Sequence, residues 1–376
     1  MRLKSLRYSE FRDTPQEWVL EGLELTADVN LLVGKNASGK SRVINVIHNI
    51  SLAIAGKRSL GDGSFDVLFD HEGKAIRYEL DKVDGKVTLE AFSVNGEEMM
   101  RRGHNGIGQI LAEKLKGRLE FQPPEDQLAI ISRRDNLQHP FFEPIHQWAR
   151  SVFCFRFGTD LGQRTFGVGV KMADSLIEVP DPGDPDRVVA IFQHGKKSFG
   201  EAFLSAVRED LQKVGYAADE VGLRQPRGMR LEVPGDLLGL FVRERDLGDA
   251  TDQNNMSQGM FRALSLLVQV NHAILSGKPS CILIDDIGEG LDFERSCGLI
   301  DAVMSRARSS QAQLVMATND RFVMNRVPLD NWSVLCRKGG RVSVRDYRNS
   351  REVFEGFLAT GLSNFDFLAL DYARPP

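Results

Sequence analysis

The chain has 376 residues, a net charge of −4, 42 % hydrophobic and 27 % charged residues. That balance fits a globular protein and excludes a globally basic nucleic-acid binder, leaving only a local basic patch for such a role. No stretch of about 18 apolar residues occurs and the opening MRLKSLRYSEF lacks an apolar core, so neither a membrane span nor a signal peptide is expected. The four cysteines, Cys154, Cys281, Cys297 and Cys336, show no CxxC spacing. They read as reduced residues of a cytoplasmic protein.

In chain order, LKSLRYSEFRD predicts a first strand. Residues 29 to 47, VNLLVGKNASGKSRVINVI, predict a strand, a glycine-rich loop and a helix with Val43, Ile44, Ile47 and Ile50 at helical spacing. The loop is GxxxxGK[ST], running from Gly34 through Lys35, Asn36, Ala37, Ser38 and Gly39 to Lys40 and Ser41. Its glycines let the backbone wrap phosphates, and loop amides with the helix start face the anion. Lys40 supplies charge to the β- and γ-phosphates, and the Ser41 hydroxyl is placed for Mg²⁺.

Residues 64 to 102 alternate apolar and polar runs between the turns HEGK, VDGK and VNGE, predicting an antiparallel meander of three or four strands. A helix is predicted over 136–153, then a loop-rich stretch ending in EVPDPGDPDR, an amphipathic helix over 199–214 and a strand over 239–246. GLRQPRGMR places Arg224, Arg227 and Arg230 in a loop, either solvated or tracking a nucleic-acid backbone. Ser257-Gln258-Gly259 opens a helix whose predicted core face is Phe261, Leu264, Leu267 and Val268, and its start is a second anion site.

CILIDDIGEGLDFE follows, a buried strand ending in carboxylates. Asp285 fits the metal-holding role at the strand end. Asp286 is placed to orient the attacking water or to act as an outer-sphere metal residue, with Glu289 the weaker candidate for the base. The tail predicts a strand pair turning at Gly339-Gly340 and a closing helix pair.

These motifs carry a resemblance. MSQGMFRAL resembles the signature of ABC-type ATPases, ILIDDIGEGLD their Walker B and D-loop with Asp292 in the D-loop, and QLVMATNDRF their switch strand, with Asn319 where most of them have His. The long insertion between Ser41 and Met256 is similar to the RecF, SMC and OLD group, and the meander is most like the OLD-type ATPases of anti-phage systems. The paired Asp is like RecF. The resemblance implies an α/β P-loop NTPase of ABC type, with a mixed central sheet, a β-meander insertion and a helical lid insertion.

It further implies the division 1–60 (head, first part), 61–110 (β insertion), 111–165 (the Q-loop region, with Gln122 or Gln127 as its glutamine), 166–245 (lid) and 246–376 (head, second part, and cap). ATP and Mg²⁺ would be sandwiched in a homodimer or larger homo-oligomer, each nucleotide between one P-loop and the other copy's Ser257 to Gly259. Asp292 would cross the interface and Asn319 would meet the γ-phosphate. No acidic set for the nuclease of OLD proteins follows the switch, so a separate nuclease or toxin effector is expected. The alternative is a RecF-like DNA-binding protein of repair.

Overall fold

The computed structural model describes residues 1–25, 27–169, 187–228, 236–277 and 279–372. The chain forms two compact units, residues 1–152 with 328–376, and residues 153–327.

In the first unit, β1 (Arg2–Glu10) lies between β2 (Trp18–Glu24) and a long antiparallel ribbon. The ribbon runs β4 (Gly63–His71), β5 (Lys74–Val83), β6 (Lys86–Val94), β7 (Glu97–Arg102), β8 (Gly108–Ala112) and β9 (Gly117–Phe121), each paired with the next. Over 64–102 the meander has four strands, within the three or four expected, and β8 and β9 extend it past that range. β7, β8 and β9 are short, and EEMMRR has no clean alternation to announce a strand.

On the other side, β18 (Arg341–Asp346) pairs parallel with β2, and β17 (Trp332–Lys338) pairs parallel with β3 (Val29–Val33). Parallel and antiparallel pairs therefore share one mixed sheet. β3 is buried at every position, as a central parallel strand must be. From it the chain passes into α1 (Lys40–Ile54), whose Val43, Ile44, Ile47 and Ile50 are buried as their spacing predicts.

The region read as one helix over 136–153 is instead a 3₁₀ turn (Pro140–Phe142), α3 (Glu143–Arg150) and the start of β10 (Val152–Arg156). Pro140 and Pro144 each fit only at a helix start, which is why the helix begins late. Phe142 and Trp148 pack on the sheet at Phe92 (5.1 Å between ring centres) and Phe69 (4.7 Å). Before α3, the short α2 (Ala129–Ser132) is held by Glu90. This fully buried carboxylate accepts from the amides of Ala129 (2.7 Å) and Ile130 (2.9 Å) and from Tyr78 Oη (3.0 Å). The closing helix pair is α9 (Arg351–Leu358) and α10 (Asn364–Ala369), joined to the sheet through Phe354, Phe357, Phe367 and Trp332.

In the second unit, β10 neighbours β15 (Cys281–Asp285), which pairs parallel with β16 (Gln313–Ala317). A smaller sheet joins β11 (Gly167–Gly169), β12 (Ala218–Arg224), β13 (Asp236–Glu244) and β14 (Thr251–Asp252). The helices are α4 (Val188–Phe199), α5 (Glu201–Lys213), α6 (Gln258–Ser276), α7 (Phe293–Ser310) and α8 (Arg321–Arg326).

α6 departs from its predicted amphipathic form. Every residue from Met260 to Ala273 is buried, because α4, α5 and α7 all pack on it. Its polar side chains are therefore paired inside. Asn271 donates to Asp210 (2.9 Å), which also accepts from Arg306 Nε (2.6 Å), and His272 Nε2 meets His194 Nδ1 at 2.8 Å. Among the described residues no helix is long and apolar enough to cross a membrane. All four cysteines are free, and burial pushes the Cys154 thiol up to about 12.

Candidate functional site: two half-sites

The first half-site is the loop between β3 and α1. Gly34 cannot be replaced, since a Cβ there would lie 2.6 Å from Ser38 Oγ and 2.8 Å from the Leu335 carbonyl. Gly39 has φ +105° and packs on the ring of Trp18, which a Cβ would meet at 3.1 Å. Ala37, at the crest, also has positive φ (+62°). Such a loop turns its amides inward, and α1 opens on Gly39 with no side-chain cap and no acidic residue in its first turn. A helix start left open in this way accepts an anion.

Lys40 is 6 % exposed, and its Nζ donates to the carbonyl of Gly34 at 2.9 Å. Ser38 Oγ is buried without a hydrogen-bond partner, an orphan that a phosphate oxygen would satisfy. Arg337 Nη1 braces the crest by donating to the Ala37 carbonyl (2.9 Å), and Lys35 Nζ pairs with Asp371 (2.7 Å). Arg42 sits over the Trp18 ring at 4.5 Å and pairs with Glu10. The residues fit a magnesium-bound nucleoside triphosphate: glycines where a Cβ would fill the cradle, an unsatisfied hydroxyl, and the Ser41 hydroxyl one residue past the lysine.

The second half-site lies at the ends of β10, β15 and β16. Asp285 ends β15 and is 9 % exposed. Its carbonyl accepts from the Phe157 amide (2.9 Å), tying the two strand ends together. Asp286 then turns into positive φ (+54°), and the Ile287 amide returns to the Ala317 carbonyl (3.1 Å). Thr318 Oγ1 donates to the Ile287 carbonyl (2.7 Å), closing the bend.

Gly158 shows what fills this bend. A Cβ on it would meet Glu289 Oε2 at 2.5 Å and Asp286 Oδ2 at 3.4 Å. The two candidate bases therefore border the same glycine. Asn319 is exposed just past β16, and the next residue, Asp320, caps α8 by accepting from Phe322 (2.7 Å) and Val323 (2.9 Å). Burial raises the Asp320 pKa above its ordinary value, against the pull of those two amides.

Ser257 caps α6, its Oγ accepting from the Met260 amide (3.2 Å), and Ser257 and Gln258 are exposed. Gly259 abuts the loop before α7, where a Cβ would meet the Gly290 carbonyl at 2.9 Å. Asp292 caps its own helix α7, accepting from the Arg295 amide (3.0 Å) and pairing with Arg295 Nη1. Those contacts, the backbone one first, hold its pKa below the ordinary carboxylate value.

Sequence reasoning missed the braces of this half-site. Arg262, 6 % exposed, donates to the carbonyls of Thr159 (2.9 Å), Gly158 (2.9 Å) and Glu289 (3.2 Å). Gln253, fully buried, donates to the carbonyls of Gln163 (2.9 Å) and Thr165 (3.0 Å) and accepts from the Leu240 amide (2.9 Å). The available signal was a charged residue inside an apolar helix run. Gln122 and Gln127 follow β9, at the far end of the first unit's sheet. The strand beside β15 is β10, and the glutamine after it is Gln163, which donates to the Met256 carbonyl (3.1 Å).

Arg224 is not in a loop. It ends β12, stacks on Phe241 (5.2 Å) and pairs with Asp252, while Arg227 pairs with Asp249. Arg230 lies outside the described residues.

Residues 29–325 match the family described as AAA domain, putative AbiEii toxin, Type IV TA system. The chain belongs to this AAA-domain family. Among solved structures, an SMC head bound to the C-terminal winged-helix domain of ScpA is similar at 15 % identity and a TM-score of 0.53, covering 94 % of this chain and 100 % of that one. The SMC head domain from Thermotoga maritima gives 15 % identity and a TM-score of 0.46, covering 92 % and 99 %. No curated protein matches the sequence. The AAA-domain protein thus has the fold of an ABC-type, SMC-head-like P-loop ATPase, an α/β protein with a large mixed sheet.

Proposed function

We propose that the protein binds ATP with Mg²⁺, hydrolyses it slowly, and closes two copies around two nucleotides. Gly34 to Ser41 grip the triphosphate. Ser41 and Asp285 would hold the metal, which would supply positive charge to neutralise the phosphates. Asp286 or Glu289 orients the attacking water. Ser257, Gln258 and Gly259 cover the γ-phosphate of the other copy, and Asp292 and Asn319 complete its surroundings. Asn319 cannot share a proton near neutral pH as a histidine can, so turnover stays below about 10 s⁻¹.

The observation that supports this reading is a chain with two phosphate-ready helix starts. One is already complete at Gly34 to Ser41 with an orphaned Ser38 Oγ, and the other is exposed at Ser257. The test is light scattering with ATP and Mg²⁺. A dimer that needs ATP and is lost in both Lys40→Ala and Ser257→Arg is expected; a monomer under every nucleotide condition would sink the scheme.

In the cell this switch serves as the sensor or scaffold of a cytoplasmic anti-phage system with a separate nuclease or toxin effector. The family's description as a putative toxin of a type IV TA system supports a place in a multi-component system of this general kind. Phage plating should show protection that disappears with Lys40→Ala and with deletion of the neighbouring effector gene. The repair reading needs arginines free for phosphate, and Arg224 is committed to Asp252 and Phe241.

A further inference from the structure

β9 ends the ribbon, and no described segment pairs with its outer side. An open edge of this kind is a template for another strand. Arg118, Leu119 and Glu120 are all exposed on it, and Leu119 is 42 % exposed. Two further large apolar residues of the same hairpin are exposed, Ile107 (46 %) just before β8 and Leu115 (61 %) in the turn between β8 and β9. Arg118 donates to the main-chain carbonyl of Glu98, which leaves its charge uncompensated. Neither Arg118 nor Glu120 makes an ion pair among the described residues.

We propose that two copies of the chain join antiparallel through β9, with Leu119 on the two-fold axis. In this register Arg118 lies opposite the partner's Glu120, and Glu120 opposite the partner's Arg118. Opposed residues of an antiparallel pair share a face, so both ion pairs form. Moving the axis by one residue puts Arg118 against itself or Glu120 against itself, which like charges forbid. Gly117 falls opposite the partner's Phe121, a small residue facing a large one. Leu115 comes level with the partner's Pro123, at the end of the hairpin where Ile107 lies.

The occupant is a second copy because the edge is its own complement: one strand carries both members of the charge pair in the spacing a two-fold axis requires. The contact uses a different surface from ATP-driven closure and needs no nucleotide. Five residues of strand form a small contact, so the association is weak on its own.

The test is sedimentation equilibrium of the nucleotide-free full chain carrying Lys40→Ala, which removes head closure from the measurement. We expect a reversible dimer that weakens roughly tenfold or more with Arg118→Glu and equally with Glu120→Arg, since each reversal creates two like-charge pairs. Combining the two reversals should restore wild-type association, and circular dichroism of each single variant, expected to match the wild type, checks that it folds. A monomer at the highest soluble concentration, a dimer indifferent to the single reversals, or no recovery in the double variant would each overturn the proposal.

Discussion

The two half-sites are built from different materials. The loop from Gly34 to Ser41 is made of backbone: two glycines without which it would clash, an alanine at positive φ, and a helix start with no cap. The end of β15 is held by side chains instead. Arg262, Gln253 and Thr318 reach carbonyls across several loops, and Gly158, Gly259 and Gly288 allow the close approaches between them. A site made of backbone can be rebuilt only by glycine and so has few acceptable sequences. A site braced by side chains accepts many, and its function is carried by residues that no motif names.

The sharpest way to break this comparison is Lys40→Ala. It removes the charge at the backbone site together with the Nζ hydrogen bond to the Gly34 carbonyl, and ATP binding measured by calorimetry should fall by roughly 10²-fold or more. If affinity persists, the loop amides alone hold the phosphates. The next test separates the two acids beside Gly158. Asp286→Asn and Glu289→Gln should leave ATP binding intact, and the one that carries the base should lose about 10²–10⁴-fold in turnover. Equal small losses would place the base elsewhere.

Arg262→Ala should cost about 3 kcal/mol in urea denaturation, because three carbonyls lose their donor inside the protein. The same variant should bind ATP at the loop with little change, since the carbonyls that Arg262 braces all belong to its own unit. The effect that vanishes at neutral pH concerns His272, 1 % exposed. Burial, with the charge of His194 second, lowers its pKa to about 4. Its folded pKa thus lies below the unfolded value of about 6.5, so the unfolded state takes up a proton first on acidification. The neutral imidazole contributes no pH dependence above that value. Between about 6.5 and 4, stability should fall by up to about 1.4 kcal/mol per pH unit. His272→Gln should flatten that stretch of the denaturation midpoint against pH, and a profile unchanged by the substitution would remove the assignment.

The same contrast explains what could be read from the sequence. Strand β3, its loop and α1 follow from VNLLVGKNASGKSRVINVI because each local preference agrees with the fold. The hairpin of β17 and β18 follows from Gly339-Gly340 for the same reason. The extension of the ribbon into β8 and β9 was not legible because both are short, and β9 has one neighbour to satisfy rather than two. The all-round burial of α6 depends on α4, α5 and α7 converging on it, which its own residues cannot express. Its Arg262, Asn271 and His272 look solvent-facing until their partners Gly158, Asp210 and His194 are known. Arg224 was misplaced because its partner, Asp252, lies far along the chain.

Trp18 gives the nucleotide loop an optical reporter that needs no label. Its indole is 1 % exposed, touches the helix start at Gly39 and lies under the Arg42 guanidinium. The chain's other two tryptophans, Trp148 and Trp332, are also buried, so exchanging them for phenylalanine would leave one emitter beside the phosphate cradle. The emission of that single ring would report nucleotide arrival at the loop in real time, turning a packing detail into a stopwatch for the first step of the cycle.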